Sequence, residues 1–206
     1  MKMHERGVWG GMAVATGMAA LMGVAGCAST EMTSTWTDPS AQGAALSKIA
    51  VLSMSKDPGI RRMVEDSMAQ EMSKRLETAQ VVPGYRVLEG IDLGDREAVK
   101  RTLRSQGFDG VLINRLAGVQ ETVIPAGPYR TFNGYYDYAY GAAWGPGPMP
   151  MTETQVHVVS SLYSLRQGQL IWSGASKTFD PRSAKDAARD VGQAVAKSLE
   201  KDRIVL

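Results

Sequence analysis

Cys27 is the only cysteine in this chain of 206 residues, and it is the residue with the most direct chemistry. A lone thiol forms no internal disulfide, and one thiolate does not make a zinc site. Its surroundings point elsewhere. Lys2 and Arg6 put positive charge at the N-terminus. Residues 8–24 are uncharged and mostly Ala, Gly, Met and Val, and Ala25-Gly26 puts small residues just ahead of the cysteine. Basic, then apolar, then small is the layout of a secretory signal peptide, here residues 1–26. The apolar stretch is short and glycine-rich for a transmembrane helix, which needs about 20 apolar residues.

Val24-Ala25-Gly26-Cys27 resembles the lipobox of bacterial lipoproteins. The resemblance implies cleavage before Cys27 and a diacylglycerol on its thiol, with a fatty acid such as palmitate as the anchor. Each buried methylene is worth about 0.8 kcal/mol, so two or more chains hold a protein on a membrane without spanning it. The residue after the cysteine is Ala28, not aspartate. By resemblance to lipoproteins of two-membrane bacteria, that implies the outer membrane, with the domain facing the periplasm.

The remaining side chains offer little catalytic chemistry. His4 falls in the expected signal peptide, which leaves His157 as the one histidine beyond it. That inventory excludes most nucleophile–base arrangements. The chain has no Gly-Lys-Ser/Thr phosphate loop, no Gly-x-Ser-x-Gly and no His-Glu-x-x-His. Asp92, Asp95, Glu97 and Asp109 read as helix-capping and loop carboxylates, and nothing in their spacing sets two of them across one cleft. The expectation is a protein that is not an enzyme, with no cofactor, no metal and no catalytic residue. Formal net charge is +2. With no basic patch, nucleic acid is not an expected partner.

Binding chemistry is concentrated between Pro125 and Met151, which hold five of the seven tyrosines. Tyr129, Phe132, Tyr135, Tyr136, Tyr138, Tyr140 and Trp144 are candidate partner contacts, because Tyr and Trp give large, rigid contact area. Glycines and prolines break up any period, so residues 128–150 read as a long aromatic loop. The bland alternative is a lobe whose rings cover its own sheet.

These segments must be carried by a domain. Residues 27–46, rich in Ser, Thr, Ala and Gly, read as the lipidated cysteine and a tether of about 60 Å when extended. Trp36 within it is expected to dock on the domain. Residues 47–206 read as a single α/β domain. Lys48–Met54 suits a buried strand, and Asp57-Pro58 a helix start. Ile60, Val64, Met68, Met72 and Leu76 then form one apolar stripe, with Glu65 and Glu71 mainly off it. Tyr85–Leu88 is a candidate second strand and Val111–Val119 a third. Gln155–Leu165 and Leu170–Gly174 read as a hairpin. Helices are expected near 59–78, 95–106 and 183–200. The order predicts a mixed sheet of four to five strands with three helices, the aromatic loop lying between the third and fourth strands. Ile49, Val51, Met68, Leu76, Leu112, Leu162 and Val191 are the expected core.

The lipobox, Trp36-x-Asp38-Pro39, Arg61-Arg62-x-x-Glu65-Asp66, Gly107-Phe108-Asp109-Gly110 and Leu170-Ile171-Trp172-Ser173 together resemble a family of bacterial envelope lipoproteins with structural rather than catalytic motifs. In element order the chain is also distantly similar to the periplasmic α/β domain shared by the penicillin-binding-protein activators, the curli secretion lipoprotein and the amino-terminal domain of TolB. The curli relative would imply a pore, but membrane strands need about ten alternating residues, and residues 120–155 show proline and glycine instead. The resemblance implies a membrane-anchored, non-catalytic binding or adaptor module. Its expected partners are the membrane, through the lipid, and an envelope protein or peptidoglycan. The alternative is an oligomerising assembly or secretion subunit, with a hydrolase last.

Overall fold

The long arms of a hairpin dominate the architecture. In a computed structural model that describes residues 29–41, 45–124, 132–144 and 151–205, β4 (Gly110–Ile124) and β5 (Met151–Ser164) pair antiparallel over their whole length. The other strands are β1 (Ser29–Thr37), β2 (Lys48–Ser53), β3 (Gln80–Pro83) and β6 (Gln169–Phe179). They make one mixed sheet in the order β1-β6-β5-β4-β2-β3. β2 is parallel to both β3 and β4, and the rest is antiparallel. The helices are α1 (Pro58–Arg75), a single turn α2 (Gly84–Val87), α3 (Arg96–Ser105), α4 (Phe132–Trp144) and α5 (Ala184–Lys201).

The α/β class and the core are as expected, and the strand and helix counts are higher. All seven expected core residues are buried. β2 is apolar on both faces because both are covered. Ile49 and Val51 join Met68, Met72, Val191 and Leu199 under α1 and α5. Ala50 and Leu52 join Leu103 and Phe108 under α3. α1 and α5 touch at Gly192, where an added Cβ would stand 3.0 Å from the Met68 Cα. Side chains cap three helices. Asp57 accepts from the Ile60 N–H at 2.8 Å, Asp95 from Glu97 and Ala98, and Ser183 from Asp186.

Four expectations are corrected. Residues 29–37 are not a tether. They form β1, an edge strand on β6, in which Thr30 and Thr178 hydroxyls pair at 2.7 Å. An edge strand with a solvated face can be Ser- and Thr-rich, and Thr and Trp favour strands. The docked element is thus the whole segment, while the Trp36 ring stays half exposed. The second strand lies at Gln80–Pro83, ahead of its expected place at Tyr85–Leu88. Gly84 crosses so close to the Val51 carbonyl that a Cβ would meet it at 2.9 Å, and the chain turns helical there. The 128–150 loop contains α4. Glu65 and Glu71 are buried, not off the stripe.

Asp202, at the C-terminal end of α5, ties the added strand to the core. Its Oδ2 accepts from the buried Trp172 indole N–H at 3.0 Å and from the Thr37 hydroxyl at 3.1 Å. Asp202→Ala leaves the indole N–H buried without its acceptor and frees the end of β1. The expected cost is about 1–3 kcal/mol, read as a lower midpoint in urea; an unchanged midpoint would show the pairing contributes nothing.

Candidate functional site

The site is built by a length mismatch. β2 ends at Ser53, opposite Asn114 of β4. α1 begins nearby, yet β4 runs on for ten residues to Ile124. The helix-facing side of the hairpin therefore continues past the helices that cover it. Leu112, Asn114 and Leu116 alternate onto that side. Between Leu116 and Gly118 the register slips by one residue at Ala117. Such a bulge flips the alternation. Val119 thus comes opposite Val156, on the same side as Leu116 opposite Val158, where an unbroken strand would turn it away.

The result is a groove of about 530 Å³ between the N-terminal ends of α1 and α5 and the overhanging sheet. Met54, Ile60, Val64, Leu116, Val119 and Ala187 are among its walls. Leu116, Val119 and Val123 are 58%, 55% and 61% exposed, so the overhang presents apolar side chains to solvent, with the exposed Glu121 between the two valines on the same side. The polar atoms at the base are already engaged. The Asn114 amide donates to the Leu52 carbonyl at 3.2 Å and accepts from the Ser160 hydroxyl at 2.7 Å. The Ser53 N–H donates to Glu65 Oε1 at 3.0 Å, and the Tyr85 N–H to Glu65 Oε2 at 2.7 Å. Burial pushes the Glu65 carboxyl above its usual value, against the opposing pull of those two bonds and of Arg61. Glu71 is held below the usual value by bonds from Gln193, Lys74 and Arg189. These carboxylates fasten α1 to β2, α2 and α5. Neither is placed among the groove's walls.

Beyond the tip of the hairpin comes α4. Phe132, Tyr136 and Tyr140 recur every fourth residue and stack along one side of it, with ring centroids 5.9 and 6.1 Å apart. They are 79%, 56% and 58% exposed. Tyr135, Tyr138 and Trp144 lie in α4, but their side chains are outside the described residues, as are Tyr129 and Cys27 altogether. His157 sits in β5 between Gly118 and Lys177 on the neighbouring strands. Asp109 is structural, accepting from Ser47 and Lys48 and so joining the starts of β2 and β4.

A more open trough of about 690 Å³ runs between β1 and α5, lined by mixed charges such as Asp190, Lys197 and Lys201. It lacks the apolar continuity of the first. Among the described residues no His, Cys, Asp and Glu cluster is arranged to hold a metal. No described helix is long and apolar enough to cross a membrane. The groove and the α4 ridge offer apolar and aromatic contact.

These features define an α/β domain with a mixed six-stranded sheet and an overhanging hairpin. No protein-family model matches the chain, and no curated protein matches it in sequence. Solved structures do resemble it in fold. The PelC dodecamer from Paraburkholderia phytofirmans is 16% identical with a TM-score of 0.44, covering 85% of this chain and 97% of its own. Lipoprotein GNA1162 from Neisseria meningitidis is 18% identical with a TM-score of 0.42, covering 75% of this chain and 99% of its own. Likeness this distant assigns neither a family nor a function.

Proposed function

We propose that the chain is a lipid-anchored, non-catalytic binding module of the cell envelope, held at the outer membrane and facing the periplasm. The observation that carries the binding role is the apolar groove, which opens to solvent at Leu116 and Val119 and is bordered on the same side of β4 by Glu121. An exposed apolar patch rimmed by polar residues marks an interaction site. Its lining suits an apolar segment of an envelope protein better than the polar sugars and peptides of peptidoglycan. The anchor rests on the lipobox at Cys27.

A second reading, an oligomerising envelope subunit, draws on β1, whose outer edge pairs with no described strand. Open edges template pairing with another chain. The mass of the detergent-solubilised protein separates the two: one chain per particle favours the module, a fixed multiple the subunit.

The anchor is tested by metabolic labelling with a radioactive fatty acid. Cys27→Ser removes the acceptor thiol, and the expected outcome is complete loss of label with the leader retained. A Cys27→Ser protein that still takes up label overturns the lipoprotein reading.

A further inference from the structure

The register of the sheet shows where the chain enters the domain. Ser29, the first residue of β1, pairs with Phe179. Phe179 pairs with Gln155, and Gln155 with Gln120. The chain therefore enters the domain at the same end of the sheet from which the hairpin overhangs. Only Ala28 separates Cys27 from Ser29. Two residues reach at most about 7 Å, so the leash of about 60 Å expected from the sequence is not there. From Gln120 to Ile124 the hairpin projects about 13 Å further at roughly 3.3 Å per residue. The tip thus reaches past the point where a lipid on Cys27 enters the bilayer.

From this geometry we infer that the hairpin tip and α4 form a second membrane contact, with Val123, Phe132, Tyr136 and Tyr140 seated in the interfacial layer of the bilayer beside the acyl chains. This rests on Cys27 carrying lipid and names the partner of the aromatic ridge as the bilayer itself. The chemistry fits. Asp137 is the only charged residue of α4. Tyrosines and phenylalanine stacked on one side of a short helix suit the headgroup boundary, where one end of a ring is apolar and the other wet. Two points of contact, lipid and ridge, fix the orientation of the domain, and they hold the groove close to the membrane surface.

The test uses the lipidated full chain in vesicles of phosphatidylethanolamine and phosphatidylglycerol. Acylation leaves no free thiol, so an added cysteine takes a nitroxide label alone. Tyr136→Cys and Val123→Cys probe the contact, and Arg101→Cys on α3 is the aqueous control. The expected result is that the ratio of oxygen to nickel-chelate accessibility at 136 and 123 rises severalfold over that at 101. Equal, aqueous ratios at all three positions overturn the proposal. So does a label at 136 shielded from both reagents and broadened by a neighbouring label, which means a second copy of the chain covers the ridge. Labelling of the unsubstituted chain means Cys27 is free, and that outcome overturns the anchor separately.

Discussion

Glu65→Ala is expected to lower stability by about 3 kcal/mol or more. The Glu65 side chain is almost fully buried, and each oxygen accepts a backbone N–H, from Ser53 at the end of β2 and from Tyr85 in α2. Truncation strands both donors, at about 1–3 kcal/mol each, and opens a void beside Arg61, whose Nε lies 3.7 Å from Glu65. Glu65→Gln keeps the volume and one acceptor and should lose less. It also isolates the pH response. Because burial raises the folded carboxyl above its ordinary value near 4.5, the fold binds the proton more tightly than the unfolded chain does. The contribution is therefore fully present below that ordinary value and is lost as pH rises through the raised one. Glu71, held low, acts in the opposite sense, its contribution falling away as pH drops through its folded value. Denaturation midpoints of parent and Glu65→Gln across the acid range should thus converge as pH rises. A constant gap would show that Glu65 does not titrate in that window.

Much of the fold was legible because period and punctuation agreed. The stripe Ile60, Val64, Met68, Met72 and Leu76 gave α1, and Asp57-Pro58 gave its start to within a residue. Gly107, at positive φ, closes the segment after α3 as expected of an αL stop. What failed did so for physical reasons. β1 is polar because an edge strand needs few apolar side chains, and in sequence that looks like a tether. In α4 the spacing of Phe132, Tyr136 and Tyr140 was present, but Gly134 and Gly141, poor helix formers, masked it. Glu65 gave no signal, since its partners are backbone N–H groups, one of them twenty residues away. The candidate site was the least legible part. It depends on where helices stop relative to strands, a relation between elements that no single segment encodes.

That relation can be tested by one substitution made at two points on the same strand. Leu112 and Leu116 lie two alternations apart on one side of β4. Leu112 faces Val51 and Leu162 across the strands and has no exposed surface. Leu116 is mostly exposed at the groove. Leu112→Asp puts a carboxyl into the apolar layer beneath α1 and α5. Ionised, it pays a desolvation cost of several kcal/mol; neutral, it still leaves a polar group and a void where a leucine packed. Loss of the leucine contacts alone is worth about 2–5 kcal/mol. The expected outcome is a protein that is largely unfolded, or one that melts far below the parent. Leu116→Asp should shift the midpoint by no more than about 0.5 kcal/mol, as an exposed substitution away from buried features does. It should nonetheless abolish crosslinking between the groove and any envelope protein, because it places a charge on the wall of the apolar groove. If Leu116→Asp destabilises as Leu112→Asp does, the helices cover the overhang and there is no open groove. If it leaves both stability and crosslinking intact, the groove is open but is not where the partner binds.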